Sequence, residues 1–429
     1  MKKIIHPPKE DWNELQARTF ETYEALEKAV KPILRRVQRE GDKALRSFVF
    51  KYDRVRIKRF QLTPEELAAA SNEVSDELKE AINTAKYNIA TFHLTQHKAV
   101  KKIETTEGVF SWQKSVPISK VGLYVPSTDD APLYSHILMM GILANIAGCK
   151  EIVLCTAPNH EGRVHPIILY TASLLNIKKV YRVGGVQAIA AMAYGTETIP
   201  KVDKIFGPSN EYVSTAKQLV SKNDVAIDMP VGPSELCYIA DQSTNPVYAA
   251  ADILAHAEQS AHNQLIVLVN TEEVADNILA EVARQRQEVQ LRKESTDEAL
   301  SKAKIIVCKS NVESLAFANE YAPENLVLAI DNAEAVGDRV LNASSIHLGH
   351  LTSPTIGYYA AGPNHILPAN GFASSYSGLN VDSFVKKINF QQATAKGLKN
   401  IGNTVALMSE AEELLGRKNS ITQRLNHTE

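Results

Sequence analysis

Net charge is almost absent from this chain: 47 Lys and Arg against 49 Asp and Glu leave -2 over 429 residues. So balanced a surface offers no basic field for nucleic acid and no polybasic anchor for anionic lipid. Small molecules are the expected partners. Long apolar runs are also missing, and none approaches the ~18 residues that a membrane helix needs. The basic start Met1-Lys2-Lys3 is followed only by Ile4 and Ile5 before His6-Pro7-Pro8, so no signal peptide is expected and the chain should be cytoplasmic. Cysteine is scarce. The four present (Cys149, Cys155, Cys237, Cys308) lie in or beside apolar runs with no CxxC pair, which suits reduced, buried thiols rather than disulfides or a thiolate metal centre. Finally, no GxGxxG follows any apolar run, so the usual dinucleotide fingerprint is lacking.

What is present is alternation. From about residue 120, short β-rich runs (120–125, 151–156, 179–183, 204–206, 225–228, 236–240, 264–269, 304–307 and 326–330) are separated by helical patterns such as 135–147, 211–221, 247–260, 274–289 and 312–320. That order argues parallel α/β architecture, and so many strands make two sheets more naturally than one. Residues 20–100 read mostly as helix, with Thr63-Pro64-Glu65-Glu66 supplying a cap and a first-turn proline. After about residue 350 the pattern turns to loops rich in Gly, Pro, Asn and Ser, then to two further helical stretches expected at 381–388 and 404–415.

Several short motifs sit at the ends of these runs. Gly184-Gly185 falls between a strand and a helix, where free amides can meet a phosphate, although the bare pattern is also an ordinary tight turn. Phe206-Gly207-Pro208-Ser209-Asn210 and Gly232-Pro233-Ser234-Glu235 each put a polar side chain beyond a Gly-Pro turn near a strand end. His256 and Gln259 share one helix face and could reach one ion. His93 and His97 have comparable spacing but lie in a polar segment, and read as surface histidines. Asn364-His365 fits a capping role as well as a functional one.

Taken together, Val121 to Pro126, Gly184 to Ala190, Lys204 to Pro208, Asp228-Met229-Pro230, Gly232 to Glu235, Pro323-Glu324, and Asn364-His365 with Leu367-Pro368 resemble histidinol dehydrogenases in order and spacing, over essentially the whole chain. The resemblance implies oxidation of L-histidinol through the aldehyde to L-histidine with NAD, on a homodimer of two incomplete Rossmann-like domains with helical N- and C-terminal extensions. It implies an N-terminal extension at 1–22, a first domain from 23–119 with 236–378, a second at 120–235, and a dimer-contacting extension at 379–429. NAD contacts are implied at Tyr124, Gln187 and Asn210, substrate contacts at Ser234 and Glu412, and water activation at Glu324.

The same resemblance locates departures. Where the family binds zinc through Gln then His, this chain has His256 then Gln259; the zinc-binding Asp becomes Tyr358, and the last zinc-binding His becomes Arg417. The catalytic His after the glutamate becomes Asn325. The segment Pro126 to Pro132 also departs from the family's shorter Gly-Gly loop. A phenol with pKa about 10 must lose its proton to replace a carboxylate, and guanidinium has no lone pair to offer. At ~5 Å and an effective dielectric of ~20, two unit charges repel by roughly 3 kcal/mol, and a divalent ion doubles that. Zinc is therefore expected to be absent. Two other readings follow from the departures: a ligand-binding or regulatory homologue, and a dehydrogenase in which Arg417 takes an anionic substrate.

Overall fold

The computed structural model describes residues 1–18, 23–97, 99–128, 131–208, 210–229, 232–289 and 292–427. Asp129, Asp130, Ser209, Pro230 and Val231, all in or beside the segments singled out above, lie outside them.

Two parallel sheets form the frame. One has the spatial order Ala226–Ile227, Lys204–Phe206, Lys120–Val125, Glu151–Thr156, Lys179–Arg182. Numbered along the chain this is 5-4-1-2-3, the Rossmann order without its sixth strand. The other runs Lys2–Ile5, Lys304–Val307, Gln264–Val269, Glu235–Ala240, Asn325–Ala329, Ser345–Leu348. It repeats that order from Glu235 onward, with the N-terminal strand added at one edge. The central strands are buried on both faces, which is why Glu235–Ala240 and Gln264–Val269 read as nearly continuous apolar runs.

Helices close each sheet on both sides. Pro246–Gln259 and Glu272–Glu288 pack one face of the six-stranded sheet, and Asn311–Tyr321 with Trp12 packs the other. On the five-stranded sheet, Tyr23–Glu40, Gly185–Tyr194 and Glu211–Ser221 cover one face, and Asp76–Leu94 with Ser135–Ala147 covers the other. Among the described residues no helix is long and apolar enough to cross a membrane. Thr63 caps its helix as expected: the Glu66 amide donates to its hydroxyl at 3.1 Å while the Glu66 carboxylate accepts from the Thr63 amide at 2.7 Å.

The structure corrects three local expectations. Residues 381–388 are not a helix; a 3-10 turn at Val381–Phe384 gives way to the strand Val385–Ala393, which pairs antiparallel with Val109–Pro117. There Phe390 lies opposite Trp112 with rings stacked 5.3 Å apart, a cross-strand contact that overrides local propensity. The helix expected at 404–415 is two, Ala395–Ala411 and Leu415–Asn426, broken where Glu413 takes φ 57°. His93 is buried at 1% exposure, with Nδ1 3.1 Å from Gln96 Oε1. Its polar neighbours in the chain, Gln96 and Lys98, give no sign of that burial.

Candidate active site

In the five-stranded sheet the connections leave the first strand in both directions, so a crevice opens beyond its carboxyl end, between Lys120–Val125 and Lys204–Phe206. Tyr124, Gln187 and Asn210 all stand at this rim. The Tyr124 hydroxyl accepts from the Gly185 amide at 3.2 Å, at the amino end of the helix Gly185–Tyr194, and burial pushes that phenol up to about 12. It therefore stays a neutral donor. Gln187 is 2% exposed, one turn into that helix. Asn210 caps the next helix, accepting from the Val213 amide at 3.0 Å.

Gly207 explains its own motif. It has φ +142°, and a Cβ there would lie 2.1 Å from the Tyr124 carbonyl oxygen, so only glycine lets the turn pass beneath Tyr124. A buried ion pair braces it: Lys217 Nζ lies 2.5 Å from Asp228 Oδ1, both side chains 1% exposed. Lys217 also donates to the Gly207 carbonyl at 2.8 Å, and the Gly207 amide donates to Asp228 Oδ2 at 2.9 Å. Lys217→Met should strand the Asp228 carboxylate and lower stability by about 3 to 5 kcal/mol in urea unfolding. A loss under about 1 kcal/mol would show that the pair does not brace the turn. A helix-start amide, a neutral phenol and two carboxamides are groups of the kind that a dinucleotide's phosphates and ribose take up.

The second cluster sits where the carboxyl-end rule does not place it. Ser234 immediately precedes the strand Glu235–Ala240, and Glu324 the strand Asn325–Ala329, at the amino edge of the six-stranded sheet. There the Ser234 hydroxyl donates to Glu324 Oε2 at 2.6 Å, and the Glu235 amide donates to the same oxygen at 2.9 Å. Burial pushes the Glu324 carboxyl up to about 8 against those two donors, and the neighbouring Glu235 charge adds to the rise. Glu235 is itself 1% exposed and gripped by Arg18, with Nε 2.5 Å from Oε1 and Nη2 3.2 Å from Oε2. Arg18 lies over the Tyr321 ring, 4.2 Å from its centroid, and Glu235 also accepts from the Asn370 amide at 2.9 Å. Sequence motifs miss Arg18, because nothing in its local sequence marks it.

A raised carboxyl has a definite effect on folding. Glu324 binds its proton more tightly folded, so its contribution is fully present below about pH 4.5 and is lost as pH rises through about 8. The slope in that window is about 1.4 kcal/mol per pH unit. Glu324→Gln should therefore remove part of the wild-type loss of stability between pH 5 and 8, read by thermal melts. Parallel wild-type and variant curves across that range would contradict the assignment.

The positions that correspond to zinc ligands do not make a donor set. His256 is buried, its Nε2 without a partner, and burial pushes its ring down to about 4, against Ser234 and Gln264 backbone. Gln259 is exposed on the same helix. The Tyr358 phenol is driven far above its ordinary range, by burial first and then by the Glu324 charge, with Ser234, Gln259 and Asn325 acting against that. No phenolate is available there near neutral pH. Arg417 has Nη1 3.7 Å from Glu412 Oε2, with the two side chains 72% and 62% exposed. Among the described residues no group of three or more His, Cys, Asp or Glu side chains converges to hold a metal ion. Two neutral donors, a protonated phenol and a guanidinium do not fit zinc.

The structure thus brings Ser234, Glu324, Asn325, Gln259 and Tyr358 together, and sets Tyr124 near the end of its strand, Gln187 in the first turn of its helix and Asn210 at the start of its own. Glu412 and Arg417 belong to the C-terminal segment, whose helices pack on each other and on the antiparallel ribbon. Two histidines outside the expected set join the cluster: His347, with Nε2 3.1 Å from Asn325 Oδ1, and His136, edge-on to His365 with ring centroids 4.6 Å apart. The periodicity of a short edge strand gives no sign of His347.

Comparison with known proteins concerns the chain as a whole. The histidinol dehydrogenase family pattern matches residues 16–425. The chain is 48% identical over 426 residues to a histidinol dehydrogenase of Bacteroides thetaiotaomicron, covering 99% of each, and 38% identical to that of Escherichia coli, covering 97% of each. The crystal structure of histidinol dehydrogenase from Elizabethkingia anophelis superposes with a TM-score of 0.96 at 45% identity, over 99% of this chain and 98% of that one. With a family pattern over nearly the whole chain, 48% identity over 426 residues and a superposition at TM-score 0.96, this chain belongs to the histidinol dehydrogenase family.

Proposed function

We propose that this chain is an NAD-dependent oxidoreductase of the histidinol dehydrogenase type, taking L-histidinol through the aldehyde to L-histidine at a site run by protein groups rather than by a resident zinc. The observation that carries this reading is Glu324, buried, held by Ser234 and the Glu235 amide, and poised near pH 8. In the second oxidation a water must add to an aldehyde carbon and lose a proton. A carboxylate of that basicity, fixed by two donors, is suited to take it. Ser234 then offers its hydroxyl to the substrate oxygen, and the Arg18 to Glu235 pair holds the Glu235 amide against Glu324. NAD, when bound along Tyr124, Gln187 and Asn210, supplies the hydride acceptor. In total one alcohol, one water and two NAD⁺ yield one carboxylate, two NADH and three protons.

The same reading includes a second copy of the chain. Leu407, Met408 and Leu415 are 67%, 64% and 66% exposed on the segment that carries Glu412 and Arg417. That apolar face is suited to cover by a partner subunit, which would bring Glu412 and Arg417 to the Ser234 cluster of the other copy. Histidinol limiting against excess NAD should give two NADH per histidinol consumed, with a dimer by light scattering. One NADH per histidinol, a monomer, or no reduction would count against it.

A further inference from the structure

Away from the Ser234 cluster, at the outer edge of the five-stranded sheet, lies an open cleft of about 420 Å³. One crossing segment builds it. After the helix Asp42–Tyr52 the chain runs to residues 60–62, where the Leu62 amide donates to the Val180 carbonyl at 2.9 Å and the Arg182 amide to the Phe60 carbonyl at 3.0 Å, antiparallel to the edge strand Lys179–Arg182. Residues 56–59 therefore lie beyond the carboxyl end of that strand, facing the loop that follows Glu151–Thr156. Alternation sorts their side chains. Val55 and Ile57 pack against the core on that face of the sheet, while Arg54, Arg56 and Lys58 are exposed. Gly162 locks the two loops together: its φ is +80°, and a Cβ there would lie 3.2 Å from both Val55 Cγ2 and Ile57 Cδ1.

Charge gives the cleft its character, and it contrasts with the balance of the chain as a whole. Arg56, Lys58, Arg59 and Arg182 line it against Glu66 and Glu161, four cations to two carboxylates, which leaves two positive charges in excess. Both carboxylates are already engaged. Glu66 takes Arg59 at 2.9 Å and Arg182 at 2.6 Å, and Glu161 lies 2.8 Å from Arg163. Arg56 and Lys58 have no carboxylate partner among the described residues; Arg56 lies over the Phe50 ring, 5.2 Å from its centroid. Arg182 is the fixed member, its side chain 14% exposed and its Nη1 donating to the Gly162 carbonyl at 3.0 Å, yet its buried Nε has no acceptor. Buried donors of this kind are nearly always bonded, so the wall calls for an oxygen.

We infer that this cleft is a binding site for a dianionic phosphate group, free or carried on a small molecule, separate from the rim of Tyr124, Gln187 and Asn210. Two negative charges balance the two in excess, and phosphate oxygens suit the forked donors of guanidinium groups. The volume exceeds that of a bare phosphate and falls in the range of small-molecule pockets, which leaves room for an organic body. The edge strand stands two places from Lys120–Val125 in the sheet, ~10 Å at the usual spacing, so a ligand here does not require the crevice at Tyr124 to be filled.

Ribose 5-phosphate is the probe, with inorganic phosphate and ribose as its two halves, each titrated into the full-length protein at low ionic strength and followed by calorimetry and by the NMR shift of the Gly162 amide. Both phosphates should bind saturably at millimolar concentration, and ribose should not bind. Equal affinity of the two supports the free ion as the ligand; tighter binding of the ester supports a phosphorylated small molecule. Arg56→Gln with Lys58→Gln should weaken binding roughly 10-fold, and Glu161→Gln, which removes an opposing charge, should tighten it about threefold. A merely structural role would not give that second sign. Lys178→Gln removes one exposed cation at the amino end of the same strand and should leave binding unchanged, as should saturating NAD. Thermal melts establish that each variant is folded. Absence of saturable binding, a double variant that binds as the wild type does, or an equal loss in Lys178→Gln overturns the site, and displacement of phosphate by NAD overturns its separation from the dinucleotide rim.

Discussion

Glu324→Gln should slow the conversion of aldehyde to acid by ~10² to 10⁴-fold while leaving aldehyde binding nearly unchanged, the range general-base catalysis ordinarily supplies. The substitution keeps shape and an acceptor oxygen for the 2.6 Å bond from Ser234 and the 2.9 Å bond from the Glu235 amide. It removes the proton acceptor. Because the wild-type carboxyl lies at about 8, its rate on the aldehyde should climb with pH to a plateau above that value, and the variant's residual rate should lack the inflection. Stopped-flow NADH formation from aldehyde and NAD checks both points. An unchanged rate, or an unchanged pH profile, would remove Glu324 from the chemistry.

The second large effect concerns metal. Tyr358→Asp with Arg417→His restores one negative charge and removes one positive, a change of about two units in favour of a cation. Zinc affinity should rise by roughly 10² to 10⁴-fold, measured by competition with a chelating dye. Turnover should not follow from metal alone. Asn325 cannot take up a proton near pH 7, so Asn325→His should be needed before histidinol oxidation rises further. Equal zinc affinity in wild type and the double variant would show that Tyr358 and Arg417 do not govern the site.

Much of this is legible in the residues, for identifiable reasons. The buried central strands announce themselves as continuous apolar runs, and Gly207 announces a turn that no side chain could make. The outer strands Lys2–Ile5 and Ser345–Leu348 do not, being four residues each at sheet edges. The strand Val385–Ala393 is nearly all exposed and owes its conformation to Val109–Pro117, a partner far away along the chain. The site shows the same divide. Ser234 and Glu324 stand in recognisable motifs, whereas Arg18, His136 and His347 reach it only through tertiary packing. The resemblance read in the sequence marks these positions as departures, but only the fold shows that Tyr358 is buried against Glu324 while Arg417 lies with Glu412 on another segment.

The most direct test of a family site working without zinc is one sample measured twice: metal content by mass spectrometry, and NADH formation from L-histidinol before and after prolonged chelation. The account predicts far less than one zinc per chain and a rate that chelation leaves unchanged. One zinc per chain, with activity lost on its removal and recovered on its return, would contradict it.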